Sequence, residues 1–435
     1  MPVALGTVTD DQLPGGSAGP FGWKLVLRAL RYKNYRLFFG GQSISLIGMW
    51  MQSIAMSWLV YRLTNSAMLL GVMGFVNQIP SFILSPLAGV YADRWNRRYM
   101  LLGTQTLLML QSLTLAALVL SGVVAVWHLI ALAFFSGLVN AFDAPARQSF
   151  VVDMIEQKED LGNAIALNSA IFNGSRLIGP SLAGIIIAAT GEGICFLING
   201  FTYLAIISAL MAMHITPKEH TVQNNPVLQE LRDGFSYVYQ HLRIRWLLML
   251  VALVSLVGMP YIVLLPIFAK EILGGGPSTL GFLMAASGIG ALTGAFFLAS
   301  RRDFKGTGRL IPVAAIIFGT GLIAFSFSRV FIYSFVLMLM TGFGLMVQMA
   351  LSNTSLQTTV DDDKRGRVMS FYTMAFMGMA PFGSLLAGVL AHRIGAPNTL
   401  LLGGLACVAG AVIYAKKFPA FGSYRAQGAR GLRGL

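Results

Sequence analysis

The sequence predicts an all-α membrane protein of twelve transmembrane helices, built as two parallel-repeat halves of six. Three observations predict it. Of 435 residues, 56% are hydrophobic and only 11% charged, with a mean hydropathy of +0.70, which lies far outside the range of soluble domains. Apolar stretches long enough to cross a bilayer core of about 30 Å, which takes roughly 20 helical residues, recur along nearly the whole chain. A charged hinge in the first half, Gly89 to Arg98, returns in degenerate form around Asp303.

In order, the expected spans are 36–61, 67–91, 99–121, 125–145, 163–190 and 194–214, then 246–269, 278–300, 309–327, 330–352, 367–391 and 396–415. The first follows a cytoplasmic arm, residues 1–34, whose residues 1–20 have no positively charged region leading into an apolar run, so no cleavable signal peptide is expected. The second and third flank the charged hinge. The fourth closes on Asp143-Ala144-Pro145, and the fifth carries Arg176 near its middle and Pro180, which removes a backbone hydrogen bond and can kink a helix. Residues 215–245 are the largest interruption and separate an N-terminal half, 35–214, from a C-terminal half, 246–416. Within it Leu228, Leu231, Phe235, Val238 and Leu242 follow Pro226 at helical spacing, as in an amphipathic helix on the membrane surface or a solvated linker helix. The Gly- and Arg-rich tail, 417–435, is expected to be disordered and available to anionic head groups.

A net charge of +14 would suit nucleic acid, but its distribution excludes that reading. If loops are assigned to alternate sides, one side holds the Lys and Arg of the arm and of Arg94–Arg98, Arg147, Lys158, 218–245, 301–309, 364–367 and the tail. The other side holds only Arg62, Lys270, Arg329 and Arg393. By the positive-inside rule both termini are cytoplasmic, and a multi-pass bacterial inner-membrane location is expected. Cys195 and Cys407 fall in spans of different halves, where neither a disulfide nor a metal site is expected. Five histidines lack metal-ligand spacing and no phosphate-binding loop stands between a strand and a helix. No cofactor, metal or enzymatic activity is therefore expected. A membrane-embedded enzyme or receptor is the competing class, and it lacks a catalytic constellation or sensing domain.

The repeat is visible in register. A shift of 210 places Leu70-Gly71 on Leu280-Gly281 and Asp93 on Asp303, while a shift of 204 places Gly162 on Gly366, Gly174 on Gly378, Gly179 on Gly383 and Ala183-Gly184 on Ala387-Gly388. Small residues at fixed phase let helix backbones approach, so Gly179, Pro180, Gly184, Gly383 and Gly388 form a candidate helix-packing motif. Both shifts preserve in/out polarity, which relates the halves by an axis along the membrane normal.

The hinge Gly89-Val90-Tyr91-Ala92-Asp93-Arg94-Trp95-Asn96-Arg97-Arg98 resembles the hallmark loop between spans 2 and 3 of the major facilitator superfamily, with Asn96 where a second Gly is usual. That resemblance, over essentially the full hydrophobic length, implies a secondary transporter and a gating role for Gly89, Asp93, Arg94, Arg97 and Arg98. Asp93 is expected to face the start of span 11 near Gly366, where a helix N-terminus favours an anion. Asp143 is the expected partner of Arg97 and Arg98. The alternative is a merely positive loop that fixes topology. Three further stretches resemble the branch containing enterobactin exporters and macrolide efflux proteins: Asn34-Tyr35-Arg36-Leu37-Phe38 with Trp58–Thr64, Asp143–Gln148, and Ala166–Ser169 with Phe172, Asn173 and Arg176. Gly179–Gly184 also resembles the antiporter motif of exporters, with Ser175 and Ala183 where glycines are usual.

Arg176 lies roughly 18 Å from either membrane face at 1.5 Å per residue, a costly position that demands a partner or ligand. Either it attracts an anionic or electron-rich substrate, or neutral groups such as Asn168 and Asn173 hold it structurally. Trp50, Gln52, Asn140, Gln348 and Asn353, with Asn77, Gln78 and Tyr261, either line the transport cavity or make interhelical hydrogen bonds of roughly 0.6–2 kcal/mol. The expected function is export of a small amphipathic molecule, siderophore-like or drug-like, by a monomer working through alternating access, with proton antiport implied by the resemblance. Asp143 is the candidate proton carrier. A lysolipid or lipid flippase on the same fold is the alternative.

Overall fold

The computed structural model describes residues 27–213, 235–301, 307–361 and 364–418. Twelve of the helices are long and apolar enough to cross a membrane. They are α1 (Lys33–Thr64), α2 (Ala67–Arg94), α3 (Arg97–Leu120), α4 (Val126–Met154), α5 (Lys158–Thr190), α6 (Glu192–Ala212), α7 (Leu242–Ile272), α8 (Pro277–Ala299), α9 (Thr307–Phe327), α10 (Phe331–Thr359), α11 (Arg365–Ile394) and α12 (Ala396–Lys417). Below, the proximal end is the one at which α1 begins and α12 finishes, and the distal end is opposite.

Most helices start and stop within a few residues of the apolar stretches. Two do not. α4 continues to Met154 and α10 to Thr359, well past the expected ends at 145 and 352. Hydropathy stops where lipid would stop, but the helix still buries Phe150, Val151 and Met154 in α4 and Leu356 in α10, so packing keeps the extra turns folded. α7 and α11 contain wide, π-type turns at Val254–Gly258, Phe268–Ile272 and Met374–Gly378. Pro260, Pro266 and Pro381 lie beside them and lack the N–H that a regular helix would return to the preceding turn.

The helix pairings obey one rule in both halves. In the first half α1 packs on α5 and α6, α2 on α4, and α3 on α4 and α6; in the second α7 packs on α11 and α12, α8 on α10, and α9 on α10 and α12. The two halves meet through α2 against α11 and α5 against α8, a pair of contacts that the same repeat exchanges.

Ahead of α1, a single 3₁₀ turn, Arg28–Arg31, is docked on the start of α5. The Ala29 N–H donates to Asn163 Oδ1 at 2.9 Å and the Tyr32 hydroxyl to Asp160 at 2.8 Å. Arg28 and Arg31 both pair with Asp160, whose side chain is 1% exposed. The sequence placed these residues in a plain arm. Of the segment expected to be amphipathic, Leu228 and Leu231 lie outside the described residues, while Val238 is buried and Phe235 and Leu242 are exposed. The tail beyond Phe418 also lies outside them.

Candidate functional site

The two halves meet along a seam of α2 against α11 and α5 against α8. At the distal end the helices touch backbone to backbone. A Cβ added to Gly388 of α11 would lie 2.7 Å from Gly71 Cα of α2, and one on Gly184 of α5 would lie 2.9 Å from both Pro277 O and Ser278 Cα of α8. Gly281 of α8 faces the Pro180 carbonyl at 2.4 Å by the same measure. Elsewhere, Gly179 seats α5 on Trp50 of α1, and Gly383 seats α11 on the Leu256 carbonyl of α7. These approaches join α5 to two neighbours and α11 to two neighbours, one of them in the opposite half.

Polar ties reinforce the distal rim. The Tyr61 hydroxyl of α1 donates to the Glu271 carboxylate of α7, and Lys270 Nζ donates to Asn65 Oδ1 at 2.6 Å while sitting 5.4 Å from the Tyr61 ring centroid. Arg62 holds Glu192 at the start of α6 with two bonds of 2.8 and 3.0 Å. No role in the site is read from the sequence for Tyr61, Asn65, Lys270 or Glu271; the available signal was an acid and a base side by side at the end of span 7.

The proximal end differs. A Cβ added at Gly89, Gly162 or Gly366 would find no neighbouring atom within 4 Å, as would one at Gly174, midway along α5. Seam glycines are thus packed at one end and open at the other.

The charged hinge lies at this open end. Asn96 caps α3, its side chain accepting from the Arg98 N–H at 3.0 Å, as expected of Asn at a helix start. The structure corrects the expected pairing of both arginines. Arg97 pairs with Asp153 on the extension of α4, its Nη1 donating to both carboxylate oxygens at 2.9 and 3.0 Å. Arg98 donates to the carbonyls of Leu210 and Met211 at 2.7 and 2.9 Å, which close the last turn of α6 where unpaired carbonyls attract a cation. Asp143 is fully buried deeper in α4, where it accepts from Thr104 Oγ1 at 2.8 Å, from Gln105 Nε2 at 2.7 Å and from Arg147 one turn on. Arg94 is exposed, and the Asp93 side chain lies outside the described residues.

The polar residues expected in the cavity have mixed fates. Gln52 sits in a buried network, donating to Gln111 at 3.0 Å and accepting from Ser112 and Asn199 at 2.7 and 2.8 Å, which ties α1 to α3 and α6. Asn140 donates to the Ser136 carbonyl of its own helix, and Asn353 accepts from Gln357. Gln348 is fully buried, reaching Ser352 at 3.4 Å. Asn168 accepts from the Tyr35 hydroxyl at 3.2 Å and Asn173 donates to the Ser169 carbonyl at 2.8 Å, and neither asparagine is hydrogen-bonded to Arg176. The Arg176 guanidinium lies 5.9 Å from the Trp50 ring centroid. Among the described residues no group of three His, Cys, Asp or Glu side chains converges to hold a metal, and Cys195 and Cys407 are both free and buried.

A twelve-helix bundle of two repeated halves with a seam shut at one end defines a multi-pass membrane transporter rather than an enzyme. The chain belongs to the transmembrane secretion effector family of the major facilitator superfamily, whose family model matches residues 26–429. It is 26% identical to the staphyloferrin A transporter of Staphylococcus aureus, over 86% of this chain and 93% of that one. It is 23% identical to macrolide efflux protein A of Streptococcus pyogenes, over 87% and 96%. Among solved structures it is similar to a bacterial homologue of the human lysosomal transporter Spinster in an inward-facing, occupied conformation, with a TM-score of 0.70, 12% identity and coverage of 88% and 96%.

Proposed function

We propose that this protein is a monomeric exporter of the bacterial inner membrane that moves a small amphipathic molecule outward by alternating access, with protons as the counter-ion. The observation that carries the reading is the asymmetry of the seam. Backbones touch at Gly71/Gly388 and Gly184/Gly281, whereas Gly89, Gly162 and Gly366 at the proximal end face open space. With both termini cytoplasmic, as the positive-inside rule requires, the open end faces the cytoplasm, which is the loading state of an exporter. The relatives supply the cargo class: a siderophore in one case, macrolides in the other.

In this reading the hinge is a gate. Arg97 on Asp153 and Arg98 on α6 brace α3 against its own half, so the loop moves as one body with α2, α4 and α6. On closure of the proximal end, Asp93 meets the first turn of α11 at Gly366. Asp143 is the buried carboxylate available to carry the proton, with Arg147 balancing its charge. The cavity between the halves is lined from α1, α4, α5 and α10, by Trp50, Asn140, Arg176 and Asn353 among others.

The test is purified protein in liposomes under an imposed pH gradient, presented with a catecholate siderophore, erythromycin and a fluorescent lysolipid. Gradient-coupled movement of the soluble compounds is expected. Lipid movement indifferent to pH, with no soluble transport, would replace the exporter with a flippase.

A further inference from the structure

Around Arg176 hydrogen-bond donors outnumber acceptors. Arg176 is half-buried in α5, with the Trp50 ring of α1 at 5.9 Å. Trp50 in turn meets Phe172 edge-on, centroids 5.8 Å apart at 68°. The indole Nε1 of Trp50 is buried with no hydrogen-bond partner, although an indole N–H can only donate and normally finds an acceptor when buried. Neither Asn168, which lies 3.2 Å from the Tyr35 hydroxyl, nor Asn173, which donates to the Ser169 carbonyl, makes a hydrogen bond to Arg176. The carbonyl that Pro180 frees in the helix by lacking an N–H is that of Arg176 itself, and it faces α8, 3.6 Å from where a Cβ on Gly288 would lie. A cation and a neutral donor thus sit together at the seam of α1, α5 and α8, between two aromatic rings, and no acceptor is recorded for either among the described residues.

We infer that Arg176 and the Trp50 indole N–H together receive the carboxylate of a flat, aromatic substrate whose ring lies against Trp50 and Phe172. This rests on the exporter reading and names the chemistry of its cargo. A guanidinium offers a planar fork matched to a carboxylate, and a desolvated cation favours an anion over its neutral analogue.

The test uses the full chain in lipid nanodiscs and calorimetric titration with benzoate, salicylate and 2-naphthoate, each against its own carboxamide. Wild-type protein should bind at least one carboxylate about tenfold or more tightly than its amide, as expected for a charge-assisted hydrogen bond. Arg176→Gln should bring that ratio to about one, Arg176→Lys should retain part of it, and Trp50→Phe, which keeps a ring, should weaken the carboxylate several-fold and leave the amide unchanged. Unchanged thermal midpoints certify that the variants are folded. No preference for any of the three carboxylates in the wild type, or a preference that survives Arg176→Gln, overturns the inference. Gradient-driven erythromycin transport in liposomes separates the two ideas: if it persists while the charge preference is missing, the anion site falls and the exporter stands.

Discussion

Gly388→Ala is the smallest change that tests whether the two halves meet by backbone contact. The added carbon would lie 2.7 Å from Gly71 Cα, 2.9 Å from the Ala67 carbonyl and 3.0 Å from the Gly71 nitrogen. A relaxed carbon–carbon contact is about 3.5–4.0 Å, so α2 and α11 must part by about 1 Å. All three neighbours are backbone, and no side chain can rotate aside. Overpacking of this kind costs about 1–3 kcal/mol, against which a helical Gly→Ala change returns about 0.5–1 kcal/mol through the unfolded chain. The net expectation is a loss of about 1–2 kcal/mol. Gly174→Ala is the internal control, because its Cβ would meet nothing within 4 Å and only the gain of about 0.5–1 kcal/mol applies. Thermal unfolding of the two variants in the same detergent should therefore shift in opposite directions. If Gly388→Ala raises the midpoint as Gly174→Ala does, the halves are not in contact at Gly71 and the closed distal seam is wrong.

For the ion pair in α4, in which Asp143 is fully buried and Arg147 partly exposed, Arg147→Met should destabilise by about 3 kcal/mol because it leaves a buried charge without its partner, and Asp143→Asn should cost less because water still reaches Arg147. The double variant should cost clearly less than their sum, and strict additivity in a thermal or denaturant series would show that the two side chains are uncoupled. At the distal rim, Tyr61→Phe combined with Lys270→Ala removes both polar ties between α1 and α7. Spin labels on Met68→Cys and Ile394→Cys should then report a distance distribution broadened toward longer separations, and an unchanged distribution would show that the ties do not hold the rim together.

The twelve spans were legible because lipid imposes a single demand, an apolar helix of fixed length, and hydropathy records it directly. Pairing of charges was not legible, for a reason visible in α4. The sequence ended that helix at Pro145, which removed Asp153 from consideration as a partner for Arg97 and left Asp143 as the nearest acid. The helix in fact runs two turns further on the strength of Phe150, Val151 and Met154, and Asp153 rides on those turns. Asp143 meanwhile finds Arg147 one turn along and two donors on α3, partners that need only local geometry. Gln52 shows the same limit from the other side, because a polar residue in a span reads as cavity lining until Gln111, Ser112 and Asn199 appear around it. The glycine phases were read from the repeat alone; which of them touch and which stand open depends on the tilt of one half against the other, and that is not written in either half.

The distal seam has a consequence for the work of opening it. Wetting an interface of apolar side chains costs about 25 cal/mol for each Å² uncovered; at Gly71 against Gly388 and Gly184 against Gly281 little more than main chain is uncovered, and the apolar cost along the α2–α11 seam falls on Phe75 and Phe82 packed against Phe382. Within a bilayer, moreover, helices are held by close packing and not by any aversion to their solvent. The ties that remain, from buried Tyr61 to Glu271 and from Lys270 to Asn65, each end on an exposed partner, Glu271 or Asn65, where water and salt can replace the bond as it breaks. The glycine contacts themselves are therefore nearly indifferent to being wet or dry, and the resistance of the seam to parting rests on the aromatic pairs beside them.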